Sequence, residues 1–421
     1  MKILHLCPDA GIPVLGRKGA SIHVREMIAA FARAGHQVVL AAQVLNKSPW
    51  EKPAEVAATV VHLRPARSAQ AAAQGVKEFT TRLGLESALP GELRRILYNQ
   101  EIEAELIRRF DSDPPDFVYE RASLYGTAGT SVARALGVPL LLELNAPLAI
   151  EQSAYRGNGL GELAAQAERW SLAQADAVLA VSAPLRDHVL ALGIDAAKVH
   201  VIPNGVDPAR FHPGPADAAL RARLGLGDGP VLGFVGGLRP WHGIEALPEL
   251  LARLAPRHPT LRLLVAGDGP LRGELERGLR ERGVADRAVF TGALAHDDIA
   301  PVIRQCDIAL APYPALDHAF YFSPLKLFEY MACGVAVAAA NCGQIADLVR
   351  HGETGLLHPA GDLDALTAGC DQLLNQPKLR FALGREAAQF IRSHYTWDHN
   401  ARRVTELATA LNAAPQREEP R

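Results

Sequence analysis

The sequence predicts an α/β protein built from two doubly wound domains, and three observations carry that expectation. Short apolar runs alternate with longer amphipathic segments along the chain, the pattern of parallel strands joined by crossover helices. At 421 residues the chain is too long for one ordinary core. A Pro- and Gly-rich connector near Pro208–Gly229 interrupts the pattern before the strands resume.

In the first half, Ile3–Leu6 reads as a strand, the loop through Gly16 and Gly19 as its exit, and Ser21–Ala34 as a helix closed by Gly35-His36. The strand Gln37–Ala42 completes one βαβ unit, for which a parallel sheet with right-handed crossovers is the economical topology. Further strands are expected at Thr59–Leu63, Phe117–Glu120, Leu140–Leu144, Ala177–Val181 and Val199–Ile202. Between them, Glu92–Phe110 places Leu93, Ile96, Ile102, Leu106 and Phe110 at largely helical spacing, a core-facing helix with a solvated basic side. After the turn Pro203-Asn204-Gly205, strands recur at Val231–Val235, Leu261–Ala266, Ala288–Thr291, Ile308–Ala311 and Val335–Ala339. The expected domains are 1–203 and 204–393. Residues 394–421 follow as a helix (Tyr395–Leu411) packing back across the junction and a disordered tail, Ala413–Arg421.

Composition narrows the function classes. With 48% hydrophobic and 21% charged residues and a formal net charge of −2, no basic face for nucleic acid is indicated. The five cysteines form no CxxC pair, which fits a reducing compartment and gives neither a zinc site nor a disulfide framework. The opening MKILHLC is a strand, not a leader, and no apolar run approaches bilayer length. A cytoplasmic protein is expected, with peripheral contact at the inner face of the cell membrane left open.

The densest site candidate is Tyr321–Gly334, YFSPLKLFEYMACG, read as a loop, a short helix opened by Ser323-Pro324, and then a buried strand. The Ser323 hydroxyl is placed to cap, proline suits the first turn, and the amide end of such a helix suits a diphosphate. Glu329, further along, is placed to accept from neutral donors such as ribose hydroxyls. FVGGLRPWHG runs from a strand into Gly236-Gly237 and then Arg239, Trp241 and His242, where Arg239 and His242 both reach towards a diphosphate. The alternative there is that Trp241 packs the loop and Arg239 pairs with a surface acid. Gly16–Ser21 reads equally as a ligand-approach loop or a surface turn, and it is neither a dinucleotide fingerprint nor a P-loop. Gly267 and Gly292 end two strands, and backbone just past Gly292 is placed to meet a base edge. His296-Asp297-Asp298 reads as a helix cap, and so does Asp362-Leu363-Asp364, so neither is taken as a metal site. In the first half, Glu120, Arg121, Glu143 and Asn145 follow strand ends as acceptor-side candidates, with Glu120-Arg121 read equally as a structural ion pair. His5 and His23 read as core histidines before site residues.

Taken together, VIPNGVDPARF, FVGGLRPWHG, LLVAGDGP, VFTGAL, CDIALAPY, SPLKLFEYMACGVAV and GQIADLVRHGETGLLHP make the chain resemble the GT-B glycosyltransferases of family 4 (glycosyltransferase group 1), a retaining family. The resemblance implies two Rossmann-like domains facing across a cleft, with a C-terminal helix crossing back to the first. It implies transfer of a sugar from a nucleotide diphosphate sugar to a glycan, lipid-linked or small-molecule acceptor, with no metal and no further cofactor. It assigns the ribose to Glu329, the diphosphate to backbone at Ser323, Pro324 and Leu325, and the closing loop to Gly19. The family's earlier glutamate, eight positions before Glu329, is Tyr321 here, and its phosphate-binding Arg and Lys fall on Gly237 and His242. Arg239, His242 and Lys326 are therefore the expected cations at the leaving group, with Asn145 on the acceptor side and Gly237, Gly267 and Gly292 lining the donor. An epimerase of the same fold and a non-catalytic relative are the alternative readings.

Overall fold

The computed structural model describes residues 1–47, 53–156 and 159–414. The chain separates into two compact units, Met1–Pro203 with Asp398–Arg421, and Asn204–Trp397. Of the tail expected to be disordered, Ala413 ends the last helix, whereas residues 415–421 lie outside the described residues.

The first unit is a seven-stranded sheet: β1 (Lys2–Cys7), β2 (Gln37–Ala42), β3 (Thr59–His62), β4 (Phe117–Arg121), β5 (Leu140–Leu144), β6 (Ala177–Ala180) and β7 (Val199–Val201). Their order is β3-β2-β1-β4-β5-β6-β7, and every pairing is parallel. The order reverses between β1 and β4, where a doubly wound sheet opens a crevice at its carboxyl edge. Helix Gly19–Arg33 follows β1, starting two residues earlier than its apolar pattern suggests. The basic segment forms a helix over Leu89–Phe110, its Tyr98, Ile102, Leu106 and Phe110 buried, as a core-facing helix requires. Helix Trp397–Ala413 joins this unit from Asp398 onward, through an Arg33–Asp398 ion pair of 2.7 Å and an Asn400 amide bond of 2.6 Å to the Pro203 carbonyl.

The second unit is a six-stranded parallel sheet: β8 (Val231–Val235), β9 (Arg262–Ala266), β10 (Ala288–Gly292), β11 (Ile308–Ala311), β12 (Ala336–Asn341) and β13 (Leu356–Pro359). Its order, β10-β9-β8-β11-β12-β13, reverses between β8 and β11. Both faces are covered, which is why these strands read as unbroken apolar runs. Val231 and Val235 pack into one core, and Leu232 and Phe234 into the other. Strand β13 was not expected: LLHP is too short and too proline-terminated to stand out, and its pairing with β12 supplies what its own pattern lacks.

Candidate functional site

The carboxyl edge of the second sheet, at the β8/β11 reversal, gathers most of the candidate residues. Helix Leu325–Ala332 lies there, with Leu327, Phe328, Tyr330 and Met331 buried. The Tyr330 hydroxyl fixes it to the end of β8, accepting from the Val235 amide at 2.7 Å and donating to the Val235 carbonyl at 3.2 Å. Pro324 occupies the N-cap position and no side chain caps the helix. This corrects the expectation for Ser323. Its hydroxyl accepts from the Asn204 amide at 3.0 Å, and its carbonyl accepts from the Asn204 side chain, so it is committed away from the helix. The first turn at Leu325 and Lys326 therefore keeps a positive dipole end that no side chain neutralises.

Lys326 is the unusual group. Its side chain is 8% exposed, and its ammonium has no hydrogen-bond partner among the described residues. It lies over the rings of Phe234 and Tyr313, 4.2 and 5.5 Å from their centroids. A β-carbon on Gly236 would come within 3.0 Å of Nζ, so the ammonium sits against the backbone of the glycine loop. Burial pulls its pKa down from the usual lysine value to about 7, against the opposing pull of Glu329.

Backbone hydrogen bonds hold the loop after β8, among them Leu238 N–H to the Asp268 carbonyl and His242 N–H to the Arg239 carbonyl, both 3.0 Å. Leu238 is fully buried and anchors the loop, whereas Trp241 is 37% exposed, its ring 6.1 Å from that of His242. The exposed Arg239 guanidinium stands 5.9 Å from the Trp241 ring, and no acid among the described residues pairs with it. His242 does not present the cation expected of it. Its Nδ1 donates to the Gly237 carbonyl at 2.6 Å, and burial, with Lys326 nearby, pushes its pKa down to about 3. A neutral imidazole there orders the loop. Gly267, at φ +145°, backs this loop closely: a β-carbon would fall 1.9 Å from the Gly236 carbonyl oxygen. Its amide donates to the Gly292 carbonyl at 2.9 Å, which also accepts from the Thr291 hydroxyl at 2.9 Å. The Gly292 carbonyl is thus already engaged.

Glu329 reaches out of the same helix, 8% exposed. Its Oε1 accepts from His296 Nε2 at 2.9 Å, and His296 Nδ1 lies 2.8 Å from Arg210. His296-Asp297-Asp298 form a short 3-10 turn without a side-chain cap, so the cap expected there is replaced by this pairing. Neither Arg210, within VDPARF, nor His296, read as a cap, is expected at the site from the sequence. Tyr321 is buried and stacked on His318 with ring centroids 5.6 Å apart. Asp362 behaves as expected, capping its helix by accepting from the Ala365 amide at 2.9 Å.

A second polar cluster lies at the β1/β4 reversal of the first unit. Glu143 is 3% exposed and accepts from His23 at 2.7 Å, Arg121 at 2.7 Å, and the Tyr119 hydroxyl and Asn145 amide. Burial alone would raise its pKa, but His23 and Arg121 outweigh burial and hold it well below the usual carboxylate range. Arg121 thus pairs with Glu143 and not with Glu120. Glu120 packs its carboxyl against Gly129, where a β-carbon would lie 1.9 Å from Oε2, and burial raises its pKa to about 8. His5 is fully buried, its ring 4.9 Å from that of Tyr119, with neither nitrogen hydrogen-bonded to a described residue. Gly19 begins the helix that carries His23. Asn145 and Gly19 belong to this unit, apart from the donor-side candidates of the second.

Among the described residues, no helix is long and apolar enough to cross a membrane.

Comparison with known proteins agrees with this fold. A family described as "Glycosyltransferase Family 4" matches residues 17–210, and one described as "Glycosyl transferases group 1" matches residues 229–376. The chain is 31% identical to a 2-deoxystreptamine glucosyltransferase of Streptomyces kanamyceticus over 65% of its own length and 71% of the relative's. It is also 31% identical to a GDP-mannose-dependent alpha-(1-6)-phosphatidylinositol monomannoside mannosyltransferase of Mycolicibacterium smegmatis, over 58% of this chain and 64% of that one. The fold matches an Anabaena protein solved in complex with UDP, with a TM-score of 0.70, 20% identity, and coverage of 97% of this chain and 100% of that one. Two parallel sheets with their reversals are thus a fold shared with sugar-transferring enzymes, and the chain belongs to the GT-B glycosyltransferases of group 1, family 4.

Proposed function

We propose that the second unit seats the diphosphate of a nucleotide-sugar donor against the turn at Leu325 and Lys326, and that the enzyme passes the sugar to an acceptor hydroxyl with its configuration retained. The observation that carries this reading is Lys326: a buried ammonium without a hydrogen-bond partner among the described residues, beside an uncapped helix start at a sheet reversal. Leaving a lysine charge so placed is costly unless an anion is to be met there. Arg239 supplies a permanent charge at the loop surface, and the helix dipole adds to both. These groups offset the charge that develops as the bond between the anomeric carbon and the diphosphate oxygen breaks. The acceptor oxygen then bonds to the same face of that carbon, and its proton passes to the departing phosphate. The GDP-mannose dependence of one relative supports a nucleotide-sugar donor of some base.

The acceptor is a hydroxyl of a glycan, lipid-linked or small molecule, with Asn145 and the Glu143 cluster on the acceptor side. Glu143 is saturated by four donors, so it orients Asn145 and Arg121 and does not take up the acceptor's proton. The test is incubation with UDP-, GDP- and ADP-sugars and a panel of hydroxylated acceptors, reading the product's anomeric configuration by NMR. A product with retained configuration is expected. Inversion, or isomerisation of the donor with no acceptor present, overturns the reading.

A further inference from the structure

The Glu329 carboxylate does not stand alone. Its Oε1 is 2.9 Å from His296 Nε2, and His296 Nδ1 is 2.8 Å from Arg210 Nη1. Arginine keeps its protons at any physiological pH and only donates. His296 Nδ1 must therefore be the accepting nitrogen, and the one proton of the neutral ring lies on Nε2, aimed at Glu329. Arg210 is held in turn by Asp297, 3.2 Å from its Nε, and the Phe211 ring lies 5.3 Å from that of His296. The His296 and Glu329 side chains are 11% and 10% exposed. The direction Arg210 to His296 to Glu329 is thus fixed by donor chemistry, in a site screened from water.

The consequence falls on the carboxylate. With Oε1 engaged and its plane set by the imidazole, Oε2 is the oxygen to which no described residue donates. The Glu329 carboxylate makes this stretch of the helix unfavourable for phosphate and suited to neutral hydroxyl donors. We propose that Arg210 and His296 are positioning residues for donor recognition, holding Glu329 so that Oε2 accepts from the vicinal hydroxyls of the nucleotide's ribose. Selectivity for a ribonucleotide over its 2′-deoxy counterpart then rests on all three residues. The proposal rests on the reading that the second unit binds the donor nucleotide.

The experiment is calorimetric titration of UDP, GDP and ADP, and then of the best binder's 2′-deoxy form, into wild type, Glu329→Gln, His296→Ala, His296→Gln and Arg210→Met. A hydrogen bond to a charged group corresponds to roughly tenfold or more in affinity, so wild type should prefer the ribonucleotide by about that factor. His296→Ala and Arg210→Met should cut the preference to about threefold or less while leaving the deoxynucleotide's affinity nearly unchanged. His296→Gln keeps a donor towards Oε1 and should restore part of the preference. A purely structural role would weaken both ligands equally and leave their ratio intact, and that result overturns the proposal. Loss of the preference in Glu329→Gln with its retention in His296→Ala overturns the proposal alone. Absence of nucleotide binding by wild type, or an unchanged preference in Glu329→Gln, overturns it together with the donor assignment of Glu329.

Discussion

The ammonium of Lys326 lies 4.2 Å from the centroid of the Phe234 ring and makes no hydrogen bond to any described residue. The aromatic faces of Phe234 and Tyr313 return part of what the ammonium loses on leaving water, but its pKa still falls to about 7. Folding therefore works against this charge. At or below pH 7 the cost is fully present. It declines as pH rises towards 10.5, because the unfolded chain then holds fewer protons that folding must displace. Lys326→Met should stabilise the fold, most at pH 6 to 7 and least near pH 10, by an amount on the order of a few kcal/mol. Thermal melts across that range check it.

The same pKa predicts a proton linkage in binding. An anion beside Lys326 favours its charged form, so at pH 8 a diphosphate should bring up to one proton with it. Titrations in two buffers of different ionisation enthalpy read that proton directly. Uptake should be present at pH 8, nearly absent at pH 6, and lost in Lys326→Met.

His242 is the opposite case, a histidine kept neutral to order a loop. Its pKa of about 3 means that the folded state resists protonation while the unfolded chain accepts it below about 6.5. Stability is therefore lost as pH falls from 6.5 towards 3, and His242→Asn should lose less over that interval. Because an asparagine amide can keep the bond to the Gly237 carbonyl, transfer should stay within a few-fold of wild type. His242→Leu should lower it by tenfold or more, measured as kcat/KM for the donor.

In the first unit, the two neighbouring glutamates should respond differently. Glu143→Gln leaves Arg121 and His23 without their anion and should cost about 3–5 kcal/mol in denaturant unfolding. Glu120 is already close to neutral at pH 7, since burial raises its pKa to about 8, so Glu120→Gln should cost less than about 1 kcal/mol. Gly129→Ala, which drives a methyl group into the Glu120 carboxyl, should cost about 1–3 kcal/mol.

Much of the architecture was legible because parallel strands buried on both faces leave unbroken apolar runs. Strands Gln37–Ala42, Leu140–Leu144, Val231–Val235 and Ile308–Ala311 appear with the bounds their sequence implies. What was not legible depended on partners remote in sequence. Ser323 looks like a cap until Asn204, 119 residues away, takes its hydroxyl. His296-Asp297-Asp298 looks like a cap until Glu329 and Arg210 converge on the histidine. Glu120-Arg121 looks like an ion pair until β5 pairs with β4 in the register that brings Glu143 beside Arg121. The charge of His242 could not be read from its neighbours in the chain, because burial sets it.

The most direct test of the central claim is calorimetric titration of UDP, GDP and ADP into wild type and Lys326→Met at pH 7. One nucleotide should bind wild type selectively and lose at least tenfold in affinity in the variant, although the variant melts no lower. Equal affinity in a folded Lys326→Met, or no binding of any nucleotide to wild type, would contradict the diphosphate seat.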